Sequence, residues 1–345
     1  MNNSKIIRKA WEGYDDSKAI RFIENISPGL STNYVYRITF DDGDMVIAKV
    51  SGFGKYEYFK EDHRIIHSLA NNLLYPFDNL LAKSLLKNNR VYVYHYVGER
   101  TDAWVVFYNP VRMLSRLPEL LDDNDILKLG EQIGKFHAAC SRVKNVLPKS
   151  LKTLYTDIAD LQRQLELKKQ QFGTKAHVDL LKYHCDQFLE NSLKLNATSF
   201  GSIPVFLDWT TDNFSVGPEL ELYSRWDYDW FRLGPRVLDF YFLSKVVADD
   251  VGRDLLSYRI NTLTDDRFIT FLKAYHEVNS LTANELRFLK EGYRFFILNY
   301  VIRCGKEIFK RPYAQKLRTE AFENYLPSID SVFDADKIIG PLGLN

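Results

Sequence analysis

Acidic and amide side chains near the middle of the sequence have the types and spacing to bind a cation. Asp208 and Asn213 lie five positions apart, and Asp227 and Asp229 follow with one residue between them. Residues 201–230 contain six acidic side chains but a single basic one. Carboxylate and amide oxygens are typical ligands of hard metal ions, and a local excess of negative charge attracts cations. The pattern predicts a site for a hard metal ion or a cationic substrate, with turn formation at strand ends as the alternative.

A single lysine interrupts an apolar strand pattern. Lys49 lies in the segment MVIAKV, where its neighbours are apolar. Its ammonium group either extends to the surface or meets an anionic partner. The helix that is predicted next carries three carboxylates, so we expect an ion pair between Lys49 and one of them: Glu57, Glu61 or Asp62.

The elements that position these residues form a small mixed part and a larger helical part. In the first part, apolar periodicity and turn residues predict a helix over 5–25, a β-hairpin over 34–50, a helix over 57–73 and a buried strand over 90–97. Beyond residue 110 the pattern is mostly helical, with helices over 125–140 and 161–172, two short strands within 203–229, and helices again in the C-terminal third.

Composition excludes several classes of protein. The 345 residues carry a formal net charge of +1, with 46% hydrophobic and 26% charged residues, which is typical of an ordinary globular protein of two domains or lobes. This balance argues against a nucleic-acid-binding protein and against a disordered chain. The sequence has three scattered cysteines, no signal-peptide pattern and no long apolar run, so we expect a cytoplasmic protein that does not bind membranes.

The order of these parts resembles that of protein-kinase-fold phosphotransferases. In detail the chain resembles the aminoglycoside phosphotransferase/choline kinase-like family of small-molecule kinases, which includes type II homoserine kinases and fructosamine kinases. The resemblance covers residues 5–310, and the stretches that carry it are PGLSTNYVYRITF, VIAKV, LGEQIGKFHAAC, FLDWTTDNFSV and WDYDWFRLGPRVLDFYFL. The last two together are more specific than any one alone.

The resemblance implies a fold class and a division into lobes. We expect an α+β, two-lobed protein-kinase-like fold. A small antiparallel-sheet lobe that binds the nucleotide would cover residues 1–97, and a larger, mostly helical catalytic and substrate lobe would cover 98–345.

The resemblance also implies an ATP- and Mg²⁺-dependent transfer of the γ-phosphate to a hydroxyl group of a small molecule. Lys49 would hold the α- and β-phosphates and pair with an acid on the next helix, for which we favour Glu61, with Asp62 and Glu57 left open. Ser31 and Asn33 belong to the segment that matches the nucleotide loop. The adenine edge would meet the backbone of a hinge formed by four residues: Tyr94, His95, Tyr96 and Val97.

The acidic residues acquire separate roles from the same resemblance. Asp208 would accept or orient the proton of the substrate hydroxyl, because an alcohol that attacks phosphorus needs a carboxylate in line with it. Asn213 and Asp227 would hold Mg²⁺, and Asp229 is a further metal candidate. Asp239 would anchor the catalytic loop.

Two departures from the family pattern favour an alternative function. The His-Gly that precedes the catalytic Asp in the family is Phe206-Leu207 here, and Pro235-Arg236 stands where Asp-Pro is usual. The missing histidine normally braces the loop, so its loss bears on rate and loop geometry. The alternative is a nucleotide-binding regulator with a kinase fold and weak or absent transferase activity.

Aromatic residues make up 14% of the chain, and several lie within or beside the catalytic motifs. Tryptophan and tyrosine faces beside carboxylates bind amines and sugars by cation–π and stacking contacts. We therefore predict that Trp209, Asp212 and Trp230 contact an acceptor with an amine, such as an amino alcohol, aminoglycoside, choline or a homoserine-like molecule. The alternative is that these rings, and that of Trp226, pack in the core.

Overall fold

The computed structural model describes residues 3–27, 29–99, 101–249 and 256–344. Pro28, the first residue of the predicted nucleotide loop, lies outside them. The strands are β1 (Ile20–Asn25), β2 (Tyr34–Phe40), β3 (Met45–Ser51), β4 (Leu86–Lys87), β5 (Arg90–Val91), β6 (Val93–Gly98), β7 (Thr101–Tyr108), β8 (Ile203–Val205), β9 (Phe214–Val216), β10 (Leu222–Arg225) and β11 (Arg232–Gly234). The helices are α1 (Asn3–Tyr14), α2 (Tyr56–Asn72), α3 (Asp123–Val143), α4 (Leu154–Leu167), α5 (Lys175–Lys194), α6 (Phe240–Val247), α7 (Asp266–Val278), α8 (Ala283–Phe296), α9 (Gly305–Ile308), α10 (Arg311–Glu320), α11 (Leu326–Val332) and α12 (Asp336–Ile339).

An antiparallel five-stranded sheet in the order β1-β2-β3-β7-β6 forms the N-terminal lobe. Its predicted β2–β3 hairpin is confirmed, with Val35 opposite Lys49 in the register. Gly43 in the hairpin turn has φ 88°, a left-handed conformation that glycine adopts without strain.

Alternation along β3 sends its side chains to two different environments. Ala48 and Val50 join the cluster that α1 covers with Ile7 and Trp11. Lys49 points to the opposite face, which is the face that meets α2 and the helical lobe. A period of two residues therefore isolates one ammonium group between the lobes.

The helix that was predicted over 5–25 is shorter than expected. It ends at Tyr14, and Ile20–Asn25 is strand β1, paired with β2. The hydroxyl and amide of Ser17 both donate to the carboxylate of Asp15. This local turn competes with the helical hydrogen bonds, and the apolar residues that follow it pack as strand residues instead.

The strand that was predicted over 90–97 is an edge strand and is not buried. The side chains of β6 are half-buried or exposed, whereas most side chains of β7 are buried because β7 lies between β3 and β6. The sheet therefore extends to Tyr108, beyond residue 97, where the sequence placed the lobe boundary.

Helices make up most of the second lobe. The helices predicted over 57–73 and 125–140 are confirmed as α2 and α3, while α4 begins and ends earlier than the predicted 161–172. The α3 helix packs so closely on α7 that a Cβ atom at Gly130 would lie 2.4 Å from the carbonyl oxygen of Phe271. None of the helices in the described ranges combines the length and the apolar character that crossing a bilayer requires.

Two small antiparallel ladders hold the loops that carry the candidate site residues. The β8 strand pairs with β11, and β9 pairs with β10. The segment 206–213 thus leaves β8 and enters β9, and the segment 226–231 joins β10 to β11. Both loops lie at the side of the helical lobe that meets Lys49.

Candidate active site

Lys49 is the centre of a buried ion-pair cluster. Its Nζ lies 2.7 Å from Asp227 Oδ1 and 2.7 Å from Asp229 Oδ1, and the residue is only 4% exposed. Burial alone would lower the pKa of Lys49, but the two carboxylates raise it above its ordinary value. Burial likewise favours a protonated Asp227, yet the Lys49 ammonium holds the pKa of that carboxyl below its ordinary value.

The loop between β10 and β11 aims both carboxylates at Lys49. Asp227 has φ 64°, a left-handed conformation that Asp adopts more readily than most residues. Its Oδ1 also accepts the backbone N–H of Asp229 at 3.1 Å. Burial and the charge of Asp227 raise the pKa of Asp229, so the two carboxyl groups differ in acidity.

The predicted ion pair between Lys49 and Glu61 is wrong, and neither open alternative replaces it. Glu61 accepts hydrogen bonds from the Ser150 hydroxyl at 2.7 Å and from the Leu151 amide at 2.9 Å. Asp62 forms an ion pair with Lys152, and Glu57 is exposed. The acids of α2 therefore contact the segment before α4, while the loop after β10 supplies both carboxylates to Lys49.

Asp239 anchors the loop that carries Asp208, as the sequence predicted. Its Oδ1 accepts the backbone N–H groups of Phe206 at 2.8 Å and Leu207 at 2.7 Å. Its Oδ2 lies 2.9 Å from Nε2 of His137, a residue of α3 that is fully buried. Leu207 has φ 57°, a conformation that costs a branched side chain energy and that glycine adopts freely.

Asp208 lies in an environment that makes its carboxyl group less acidic than an ordinary aspartate. Burial, followed by the charge of Asp227, raises the pKa of Asp208 to about 6, against the opposing effects of Arg225, Thr210 and Asn213. A carboxylate with a pKa close to neutral accepts a proton from a substrate more effectively than an ordinary aspartate. Asn213 donates its side-chain amide to the Asp208 carbonyl oxygen at 3.3 Å, which joins the two ends of this loop.

The oxygen donors of this cluster fit a divalent metal ion that binds together with phosphates. Among the described residues, no group of three or more His, Cys, Asp and Glu side chains is arranged to hold a metal alone. Mg²⁺ usually takes one or two protein carboxylates and completes its coordination with waters and phosphate oxygens. Asp227 offers such a carboxylate, and Asp229 lies next to it on the same Lys49 ammonium group.

The predicted nucleotide loop lies over this cluster. Asn33 is buried, accepts the Ser51 hydroxyl at 2.9 Å, and its side chain bonds to Asp229. Ser31 forms a β-bridge to Phe309, and its hydroxyl accepts the Asn33 amide at 3.0 Å. The loop between β1 and β2 therefore contacts both the ion-pair cluster and the segment after α9.

The four residues predicted as the hinge do not lie between the lobes. Tyr94, His95, Tyr96 and Val97 belong to β6, at the outer edge of the sheet. The chain leaves the sheet for the helical lobe after Tyr108, from the strand beside β3. The prediction failed because it took the strand over 90–97 as the last of the sheet.

Two tryptophans that were predicted to contact substrate are core residues. Trp209 is fully buried against Phe136 and Phe214, and Trp230 packs on Phe242 and Tyr300. The prediction is wrong for both, because the backbone directs these rings into the hydrophobic core of the helical lobe.

Asp212, the third residue that was predicted to contact substrate, also differs from the expected arrangement. Asp212 is exposed and forms an ion pair with Arg116 at 3.0 Å. Trp226 is half-buried. The expected preference for an amine-bearing acceptor thus loses the support of Trp209 and Trp230.

A cavity of about 240 Å³ lies beside the ion-pair cluster, between α2, α4 and the π-helical segment Ile297–Arg303. Asp229 is one of its lining residues. Asp62 and Lys152 form an ion pair in its wall, and Glu307 of α9 also lines it. Sequence reasoning missed this cavity, since its walls come from four separated segments.

Arg225 is the second feature that sequence reasoning missed. It is fully buried, and its Nη2 donates to the Asp208 carbonyl oxygen at 3.1 Å. The signal was present in the sequence, because Arg225 is the single basic residue of the acidic stretch 201–230.

Comparison with known proteins identifies solved structures whose fold is similar to that of this chain. No protein-family model and no curated protein matches the sequence. An amicoumacin kinase in complex with AMP-PNP and Ca²⁺ has a similar structure, with a TM-score of 0.63, 14% identity, and coverage of 98% of this chain and 97% of that chain. A microcompartment-associated aminopropanol kinase follows with a TM-score of 0.57, 15% identity and coverage of 99% of both chains.

An aminoglycoside 2'-phosphotransferase in complex with GDP is a third similar structure, with a TM-score of 0.56, 13% identity, and coverage of 94% of this chain and 96% of that chain. These alignments span both lobes, and at such low identities the likeness concerns the fold. The chain therefore has the two-lobed, α+β protein-kinase-like fold of these small-molecule kinases, as the sequence predicted.

Proposed function

We propose that this protein is an ATP- and Mg²⁺-dependent phosphotransferase that moves the γ-phosphate to a hydroxyl group of a small molecule. The observation that carries the proposal is the meeting of Lys49, Asp227 and the Asp208 loop at the junction of the two lobes. Within a kinase-like fold, this combination of an ammonium group, a metal-type carboxylate and a partly accessible base serves phosphoryl transfer.

Each side chain has one task in the proposed reaction. Asp208 accepts or orients the proton of the acceptor hydroxyl, and Lys49 binds phosphate oxygens of the nucleotide. Asn213 and Asp227 would hold Mg²⁺, with Asp229 as a further ligand. The metal would supply positive charge against the negative charge that develops on the phosphate oxygens.

Ser31 and Asn33 are proposed to cover the phosphates, since their loop lies over the Lys49 cluster. The base would meet the backbone of the segment that follows Tyr108, because that segment joins the sheet to the helical lobe. Glu61, and the four residues from Tyr94 to Val97, have no part in nucleotide binding in this proposal.

Part of the acceptor is proposed to extend into the cavity between α2, α4 and Ile297–Arg303, which Asp229 lines and Asp208 does not. The cavity adjoins Asp229 and is smaller than the roughly 300–1,000 Å³ of pockets for drug-sized ligands, which favours a small acceptor over one with several rings. The carboxylate of Glu307 receives the backbone N–H of Gly54 at 3.3 Å and has no basic side-chain partner among the described residues. An ammonium group on the acceptor would find its counter-charge there.

The test is phosphate transfer from ATP with Mg²⁺ to amino alcohols, choline, hydroxy amino acids, aminoglycosides and simple sugars. Wild type and the Asp208→Asn variant are compared. We expect acceptor-dependent ADP release by wild type and a loss of at least about 100-fold in the variant. Equal turnover by both proteins would contradict the role of Asp208.

The alternative function, a nucleotide-binding regulator, gives a different result in the same samples. It is favoured by Phe206-Leu207, which stands where the family has His-Gly and holds Leu207 in a strained conformation. A regulator would show thermal stabilisation by ATP with Mg²⁺ but no ADP release with any acceptor.

A further inference from the structure

Arg225 is a charged residue in a place where stability alone does not require a charge. It ends β10, two residues before Asp227, and its exposure is 0%. Its guanidinium forms no ion pair with a carboxylate in the part of the chain that the structure describes, and its Nε has no hydrogen-bond partner there. Burying an arginine without such a partner is costly, and an apolar residue of similar size often serves a core better.

The hydrogen bonds of Arg225 connect the two loops of the candidate site. Nη2 donates to the carbonyl oxygen of Asp208 at 3.1 Å. Nη1 donates to the carbonyl oxygens of Asn213 and Trp226, each at 3.3 Å. One planar group thus binds the first and last residues of the 208–213 loop and the residue that precedes Asp227.

Two aromatic rings complete the environment of this guanidinium. Its central carbon lies 4.5 Å from the ring centroid of Phe206 and 4.7 Å from that of Trp209. Both rings belong to residues that flank Asp208 in the sequence. Ring faces attract a desolvated cation, so they offset part of the cost of burying Arg225. The charge of Asp208 opposes the lowering of the Arg225 pKa by burial.

We infer that Arg225 is a positioning residue. Through three backbone carbonyls it fixes Asp208 and Asn213 relative to Asp227. It also stacks on Phe206, which stands where the related family has a loop-bracing histidine. The inference rests on the proposed function for its catalytic consequence. Arg225 does not touch the reacting atoms, because its contacts are with carbonyl oxygens and ring faces. A loop that is misplaced by about 1 Å can lower a rate about 100-fold while leaving substrate binding largely intact.

Four variants test the inference. Arg225→Met keeps the length of the side chain but removes its charge and donors, and Arg225→Lys keeps the charge but not the planar fork. Phe206→Leu removes one ring face. Arg294→Met is the matched control, because Arg294 is also 0% exposed but lies in α8 and bonds to Glu291 and Asp330.

The kinetic readout is the separation of kcat from KM in folded protein. We expect Arg225→Met to lower kcat about 10- to 100-fold, with KM for ATP and acceptor within about threefold of wild type. Arg225→Lys and Phe206→Leu are expected to lower kcat about threefold to tenfold. We expect Arg294→Met to lower thermal stability but to keep kcat within about twofold of wild type, because Arg294 does not contact the residues of the candidate active site.

A second readout does not need turnover. Hydrogen–deuterium exchange of the amides in residues 208–213 is expected to be at least about tenfold faster in Arg225→Met than in wild type or Arg294→Met. If the wild type transfers no phosphate, the proposed function fails, and exchange alone decides the role of Arg225.

Wild-type kcat and wild-type loop exchange in a folded Arg225→Met variant would overturn the inference. If that variant does not fold, Arg225→Lys and Phe206→Leu decide in its place. Wild-type behaviour of both in the two assays would equally overturn it.

Discussion

Lys49 and Asp229 form an ion pair of 2.7 Å, as short as the pair that Lys49 forms with Asp227. Both carboxylates come from the loop after β10, and none comes from α2. The acidic side chains of α2 have other partners: Glu61 accepts a hydrogen bond from the Ser150 hydroxyl, and Asp62 forms an ion pair with Lys152. This arrangement places two acids on Lys49 and two on the segment before α4.

The first prediction follows from the partners of Lys49. Lys49→Met should lower kcat for phosphate transfer at least about 100-fold, because we propose that the buried ammonium group binds the phosphates of the nucleotide. The kcat of Glu61→Gln should remain within about threefold of the wild-type value, since the Glu61 carboxylate accepts hydrogen bonds from Ser150 and Leu151 and does not contact Lys49. Steady-state kinetics of both variants are the measurement, and an equally large loss in Glu61→Gln would contradict the assignment of partners.

The second prediction concerns Asp239, which anchors the loop that carries Asp208. Asp239→Asn should lower the free energy of unfolding by about 2–4 kcal/mol, because the buried carboxylate accepts two backbone amides and faces His137. Urea denaturation measures the loss. The control is Asp212→Asn, whose exposed ion pair with Arg116 should contribute nothing measurable. Equal free energies of unfolding of the two variants would contradict the role of Asp239 as the anchor of this loop.

The third prediction is a pH dependence of stability that arises from His184. Burial, and then the charge of Arg294, lowers the pKa of His184 to about 4, while Asp330 opposes the shift. The unfolded chain therefore binds a proton at this residue before the folded chain does. The stability that neutral His184 contributes is complete above pH 6.5 and is lost as the pH falls from 6.5 toward 4, by about 3 kcal/mol over that interval.

His184→Gln keeps an acceptor for Arg294 and removes the titration. Denaturant midpoints measured between pH 7 and pH 4 should therefore fall less steeply in this variant than in wild type. Identical slopes would mean that His184 does not titrate differently in the folded and unfolded states.

The fourth prediction concerns the charge of the acceptor. Glu307→Gln should raise KM about fivefold to tenfold for acceptors that carry an amine and leave KM for neutral polyols unchanged, because only the former need its carboxylate. Glu219→Gln is the control, since Glu219 is an exposed carboxylate paired with Lys128 outside the cavity. A rise for both kinds of acceptor, or for neither, would reject Glu307 as the amine partner.

Residues whose position depends on local pattern were predicted well. The apolar strand pattern of MVIAKV singled out Lys49. The resemblance to a known family, not the spacing alone, assigned Asp208, Asn213 and Asp227 to one site and Asp239 to the anchor of its loop. The structure joins these residues because β8–β11 and β9–β10 are short antiparallel ladders that bring the loops to one side.

Residues whose role depends on non-local packing were not predicted. The hinge was misplaced because the strand order, with β7 inserted between β3 and β6, is not visible in either strand alone. Glu61 was chosen without knowledge of the 150–152 segment that binds it. Trp209 and Trp230 lie beside catalytic motifs, but only the course of the backbone decides that their rings enter the core.

The most direct test of the central claim combines transfer and binding in one pair of proteins. Phosphate transfer from ATP with Mg²⁺ is followed by ³¹P NMR, and the Kd for ATP is measured on the same samples of wild type and Asp208→Asn. We predict a new phosphate ester with wild type, a rate at least about 100-fold lower in the variant, and Kd values within about threefold of each other. An ester formed at equal rates by both proteins, or by neither while both bind ATP, would contradict the claim.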